Sequence, residues 1–186
     1  MLWKNFAKKR KSQIWVETVI YTVIGLTIIA IVLSIANPAI ARYRDKIVIE
    51  QTIDALIGQN SINEKILEVK DEGAGNKRIV EFRLKKGSLI IDPSTDKIIY
   101  TLEETGVEYS EVDKEVSYNE LTIKTEKTGK KYKIILTLSY LPKKIDIIYA
   151  GEDTTKTFNQ ASIPYKISIA NNGIAGDKVK IELKEE

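Results

Sequence analysis

The side chains of this chain that could carry chemistry are carboxylates, amines and phenols. There is no Cys and no His, which excludes a disulfide framework, Cys/His zinc sites, Cys nucleophiles and every His-based triad. Four arrangements of the remaining groups suggest sites. Glu103, Glu104, Glu108, Glu111, Asp113 and Glu115 form an acidic run interrupted by Lys114, and several close oxygens suit Ca²⁺. No Asp-x-Asp-x-Asp-Gly pattern accompanies them, so the expectation is a solvated acidic loop. Asp92 and Asp96 could be drawn as paired glycosidase acids, but among 26 acidic residues some pairs fall close by chance. Gly73-Ala74-Gly75-Asn76-Lys77-Arg78 has the composition of a phosphate loop without the Gly-x-x-x-x-Gly-Lys-Ser/Thr spacing. Lys and Tyr interleaved along strands could stack on nucleic acid; a solvated strand face with Tyr in the core is the simpler account. No catalytic residue, metal or cofactor is assigned, and no nucleic-acid partner is expected.

The charge distribution moves attention to the front of the chain. The 29 basic and 26 acidic residues leave a formal charge of +3. Residues 1–12 contain Lys4, Lys8, Lys9, Arg10 and Lys11 and no acid. The remainder is therefore slightly acidic, and the basic character is a local feature rather than a nucleic-acid signature. With 43% hydrophobic and 30% charged residues, the chain is neither disordered nor uniformly membrane-embedded.

Directly behind the basic residues, Thr18 to Ala41 is a 24-residue run without a charge. A helix from Ile14 to Ala36 would be roughly 34 Å long, enough for a hydrocarbon core of about 30 Å. The positive-inside rule then keeps the basic prefix in the cytoplasm and sends everything after Ala41 outside. Three readings fit. One is an uncleaved signal anchor. A second is a secretory signal cut after Ala39-Ile40-Ala41, although the apolar run exceeds the usual 7–15 residues. The third starts from Glu17, at the edge of the run behind Ile14, Trp15 and Val16. At a helix centre such a group costs about 2.5–3.5 kcal/mol, and less near an end. It could lie in the headgroup layer. It could instead have a cationic partner: a cut after Ser12 frees an α-amine on Gln13, one helical turn away.

Lys9-Arg10-Lys11-Ser12-Gln13-Ile14-Trp15-Val16-Glu17, followed at once by the apolar helix, resembles the class III signal peptide of type IV pilin-like proteins, a group that includes archaeal pilins and archaellins. The resemblance covers about 30 of the 186 residues. It implies cleavage between Ser12 and Gln13, behind Lys11, by a prepilin peptidase on the cytoplasmic side. Glu17 would then be the fifth mature residue, the family's usual position for Glu. Gln at the first mature position looks more archaeal than bacterial, whereas Ser12 and Trp15 depart from the common pattern. It also implies a helix that anchors in the membrane first and packs in a filament core afterwards. Packing would come from Ile14, Val16, Ile20, Ile24, Gly25, Ile28, Ile31 and Ile35. The implied partners are further copies of the chain, the prepilin peptidase, and the membrane assembly platform with its ATPase. The implied place is the membrane before assembly and a cell-surface filament after it.

The rest of the chain must supply an outer domain. Pro38 lies where the helix could continue, so a kink or a short melted stretch is expected near Ser34–Asn37, unless Pro38 ends the membrane helix. Ile40, Tyr43 and Ile47, then Ile49, Ile53, Leu56 and Ile57, recur at helical spacing in two directions, fitting two faces or one wide one. Gly58 marks an end and Ile62–Val69 a further turn or two. Residues 71–76 read as a loop. From Lys77 onward period-two alternation dominates, as in Val80-Phe82-Leu84, Tyr132 to Tyr140, Tyr165-Ile167-Ile169 and Val179-Ile181-Leu183. Turns are expected at Lys86-Gly87, Asp92–Asp96, Thr128-Gly129, Gly151–Asp153 and Asn171–Gly173. The fold class is therefore α+β: a long N-terminal helix followed by an antiparallel β-sandwich of eight to ten strands. The expected organisation is a leader over 1–12, a helical region over 13–70 and an extracytoplasmic domain over 71–186. No Asn-x-Ser/Thr acceptor occurs. The function these features imply is a filament subunit without enzymatic activity. The alternatives are a single-pass anchored protein whose β domain binds a partner, and an exported enzyme for which no site stands out.

Overall fold

A computed structural model describes the backbone from Trp3 to Glu186 and the side chains from Trp15 onward. Helix α1 (Trp3–Ile57) is followed by α2 (Ile62–Glu72) and ten strands: β1 (Lys77–Phe82), β2 (Ser88–Asp92), β3 (Lys97–Thr105), β4 (Glu115–Tyr118), β5 (Leu121–Thr128), β6 (Lys131–Ser139), β7 (Ile145–Tyr149), β8 (Lys156–Asn159), β9 (Tyr165–Ala175) and β10 (Lys178–Glu185). The chain divides into two compact units, residues 1–41 and 42–186. The α+β class with two packed sheets is the observed architecture.

Helix α1 contains Pro38 without a break in its helical backbone. The melted stretch expected at Ser34–Asn37 is absent, and Pro38 does not end the helix. A proline removes one amide donor, and the helix tolerates that single loss. It ends at Gly58, whose N–H donates to the Asp54 carbonyl at 2.7 Å. Any Cβ at residue 58 would meet the Asp54 carboxylate at 2.1 Å, so only glycine fits this exit. Helix α2 starts on a side-chain cap: Ser61 Oγ accepts from Glu64 N–H at 3.1 Å, and the Glu64 carboxylate reaches back to Asn60 N–H. Asp71 and Glu72 belong to α2 rather than to the loop expected there.

Within residues 42–186 the strands form a four-stranded sheet, β1-β9-β10-β7, and a six-stranded sheet, β4-β5-β6-β3-β2-β8. All neighbours are antiparallel except β10 and β7, which run parallel. Period-two alternation puts one buried row across five strands of the larger sheet: Ile123, Leu136, Tyr100, Leu89 and Phe158 are successive cross-strand partners. Phe158 joins the sheets by packing edge-on against Phe82 of β1 and Tyr165 of β9, at centroid distances of 5.9 and 5.0 Å. One apolar cluster contains both inner faces together with Ile49, Ile53 and Leu56 of α1 and Ile62, Ile66 and Val69 of α2.

Buried polar groups fix how these parts meet. Asn171 Nδ2 donates to the Val69 carbonyl at 2.8 Å, closing a free acceptor at the end of α2, while Asn171 Oδ1 accepts from Gly173 N–H. This corrects the turn expected at Asn171–Gly173. Those residues lie inside β9, where the asparagine side chain joins its local bond to Gly173 with a second one to a helix end 102 positions away. Asp96 takes the left-handed conformation, φ 52°, which Asp tolerates. Its carboxylate accepts from Ile147 N–H of β7 at 2.9 Å and from Lys178 Nζ of β10 at 2.7 Å, tying a turn of one sheet to two strands of the other. Asp45 of α1 accepts from Lys86 Nζ at 2.6 Å and from Thr105 Oγ1 at 2.8 Å. Thus residues 42–70 share the core of the strands.

Two truncations test this. A chain beginning at Arg42 should unfold as one cooperative transition in urea. A chain beginning at Asp71 loses six buried aliphatic side chains, each worth about 2–5 kcal/mol when deleted, against a total stability of about 5–15 kcal/mol. It should show no cooperative transition; a cooperative one would mean that the helices are dispensable to the core.

Candidate functional site

The feature that sets this chain apart is the outer surface of α1 between Trp15 and Ala41. The stretch is long and apolar enough to cross a membrane, and none of it is buried. Trp15 is 75% and Tyr21 72% exposed, and Val16, Ile20, Ile24, Ile28, Ile31 and Ile35 are all exposed. Gly25 is half-buried, and a Cβ there would meet nothing within 4 Å, so it leaves an open notch on the helix. The polar atoms of the stretch turn inward on the backbone. Thr22, Thr27 and Ser34 donate their hydroxyls to the carbonyls four residues earlier, at 2.7–2.8 Å. Such back-bonding is how hydroxyls are accommodated where water is absent.

Glu17 is exposed at the start of this surface. Lys11, Ser12, Gln13 and Ile14 lie outside the residues whose side chains are described, so the cleavage position and the proposed partner amine have no geometry here. Further along α1, Ile40 and Tyr43 are exposed while Ile49, Ile53 and Leu56 are buried; the two directions of apolar residues are two distinct faces.

The other sequence candidates have structural partners. Glu103 pairs with Lys133, Glu104 with Lys131 and Glu111 with Lys114, while Glu108 accepts from the Tyr132 hydroxyl at 2.8 Å. Among the described residues no group of three or more acids is placed to hold a metal ion. Asp92 accepts from Ser94 and Thr95 within its own turn, and those bonds hold its carboxyl below the usual range. Asp96 is committed to Ile147 and Lys178. The glycine-rich segment connects helix α2 to strand β1, the reverse of the strand-to-helix order of a phosphate loop. Of the interleaved tyrosines, Tyr140 is fully buried, and burial raises its phenol pKa.

One concavity escaped sequence reasoning. A groove of about 540 Å³ runs between the C-terminal turns of α1 and strand β4, with Glu50, Asp54, Tyr109 and Tyr118 among its lining residues. The only local sequence signal was the four-residue spacing of Glu50 and Asp54, which places them on one helix face; the tyrosines arrive from distant segments. Asn119 also lines the groove and leads into Glu120. The Glu120 carboxylate is held below its ordinary pKa by Lys143 Nζ at 2.7 Å, opposed by partial burial and assisted by the Asn63 amide.

Glu120 therefore binds its proton less readily in the folded state. Its contribution to stability is present above the unfolded value of about 4.3 and is lost as pH falls through the lower folded value. Glu120→Gln should flatten the loss of stability between about pH 5 and pH 3, measured by urea unfolding at fixed pH values. Parallel curves for the two proteins would remove Glu120 from the acid response.

Compared with protein-family models, curated proteins and solved structures, the chain matches none of them.

Proposed function

We propose that this chain is a pilin-like structural subunit. It is inserted through the membrane by residues 14–41, cut between Ser12 and Gln13, and polymerised through its N-terminal helix into a surface filament coated by the 42–186 unit. The observation that carries the reading is the fully exposed apolar surface of α1, in a helix unbroken at Pro38 and placed directly behind a basic leader and Glu17. Such a surface serves two environments in turn. In lipid it faces acyl chains; in a filament the same Ile and Val side chains pack against neighbouring helices, with Gly25 allowing close approach. Glu17, the acid at the start of the apolar run, pairs with the freed Gln13 amine of its own or a neighbouring subunit, and an apolar surround strengthens that pair. The partners are other copies of the chain, a prepilin peptidase and a membrane assembly machine. The role is assembly rather than catalysis.

The decisive measurement is the N-terminus of the protein recovered from native membranes and from sheared surface material, by intact mass and terminal peptide sequencing. A start at Gln13 is expected. A start at Met1 would replace the filament with a plain single-pass anchor, and a start at Arg42 would make the protein a secreted one. Glu17→Ala should leave membrane insertion intact and reduce recovery of sheared filament protein at least about tenfold, the equivalent of a lost pairing energy near 1.4 kcal/mol. Undiminished filament recovery would remove the electrostatic role of Glu17.

A further inference from the structure

We propose that the 42–186 unit carries a head-to-tail contact between copies of the chain, in which the acidic, aromatic groove at the β4 edge of one copy receives the Arg83–Lys85 edge of the next. The proposal rests on the filament reading above and names a second surface through which its subunits meet.

The groove is built for a cation. Glu50 and Asp54 stand one turn apart on α1 and line the groove together with Tyr109, Tyr118, Ile53 and Ile123. No Lys or Arg lines it. Asp54 makes no ion pair among the described residues, and Glu50 has only Lys46, at 3.8 Å with both side chains more than half exposed. Burial, then the nearby Glu50 charge, raises the Tyr109 pKa. Two carboxylates and two tyrosines lining one groove favour a guanidinium or ammonium group, which an ion pair and an aromatic ring can both hold.

The complement lies on the same chain. A second groove, of about 510 Å³, is lined by Arg83, Lys85, Gln160, Ala161 and Ser162 and contains no acid. Ala161 N–H donates to the Leu84 carbonyl at 3.1 Å, holding the segment after β1 against the segment after β8. Leu84 is buried and its two neighbours are exposed. Arg83 makes no ion pair among the described residues, and the Lys85 ammonium donates only to the neutral Gln51 amide, at 3.0 Å. Strands β4 and β8 are the opposite edges of the six-stranded sheet, and α1 borders both grooves, with Gln51 bonded to Lys85 and Glu50 and Asp54 lining the acidic one.

This placement decides the type of association. Two acidic grooves cannot face each other without juxtaposing four carboxylates, so a two-fold dimer through this groove is disfavoured. A patch and its complement at different places on one surface make a heterologous contact, which repeats from copy to copy into a ring or an open helical array. That is the geometry a filament coat requires. A basic segment of an unrelated protein would offer the same cation, and the experiment separates the two.

The absence of native cysteine makes introduced thiols unique. In the full chain in native membranes and filaments, Ser117→Cys marks the acidic groove and Ser162→Cys the basic one; both serines are exposed. Treatment with a short bis-maleimide should convert the double variant into a ladder of dimers, trimers and longer species, whereas Ser117→Cys alone should give no dimer. Adding Asp54→Arg or Arg83→Asp should reduce the ladder about tenfold, and combining the two reversals should restore it. Ile24→Cys, linking through the apolar helix, reports on the filament itself. Helix links without the ladder overturn the head contact and leave the filament reading standing. Loss of both, in a chain that starts at Met1, overturns the filament reading and the contact with it. A ladder indifferent to the charge reversals, a Ser117→Cys homodimer, or capture of a different protein in place of a second copy would each overturn the proposal.

Discussion

The apolar surface of residues 15–41 has to be withdrawn from water, and among the described residues nothing covers it. Fourteen large apolar side chains between Trp15 and Ile35 are exposed among the described residues. At about 1.5–3 kcal/mol each, their hydration penalty exceeds the entire stability of an ordinary domain. An apolar surrounding must therefore cover this stretch wherever it persists. Its composition follows from that requirement. β-branched residues form helices poorly in water, but where no water competes for backbone hydrogen bonds the helix is the only solution open to a single segment. Hydroxyls bonded back to the helix present no unmet polar group to either surrounding.

The 42–186 unit solves the opposite problem. Its apolar side chains are covered by one another, and a few buried polar groups dictate how the pieces join. Asp45 links α1 to both Lys86 and Thr105. Nearby, Tyr100 donates its hydroxyl to the Lys86 carbonyl at 2.8 Å, with its pKa pushed up to about 12 chiefly by burial. Asp96 links the sheets, and Asn171 finishes α2. Each of these groups would be costly if left unpaired in the interior. Alternative packings of the same hydrophobic faces are thereby excluded, which a purely apolar core would not achieve.

Much of this was legible residue by residue. Val80-Phe82 and Tyr132 to Tyr140 alternate because one sheet face is dry and the other wet, so strands announce themselves through period two. The apolar stretch of α1 needed only composition. Ser61 and Glu64 have the spacing of a helix start, a signal stronger than the further turn or two expected after Gly58. What stayed hidden depends on distant parts of the chain. Asn171-Asn172-Gly173 has turn composition, yet Asn171 serves a helix end far away in sequence. The parallel β10–β7 pair has no local signature, since pairing partners are not encoded in either strand alone. The groove tyrosines are ordinary aromatics until the fold sets them in one groove with Glu50 and Asp54. At Pro38 the sequence allowed a kink, a melted stretch or a helix end, and the continuous helical backbone excludes the last two.

The position of β10 has a consequence for how the 42–186 unit folds. This strand, the last in the chain, lies between β9 and β7 and contributes Ile181 and Leu183 to the core. Until it is present, β7 has no partner in its sheet and the inner face of that sheet is incomplete. The unit therefore closes around its hydrophobic interior only when β10 docks between β9 and β7, so that docking joins segments from both ends of the 42–186 unit in one cooperative step.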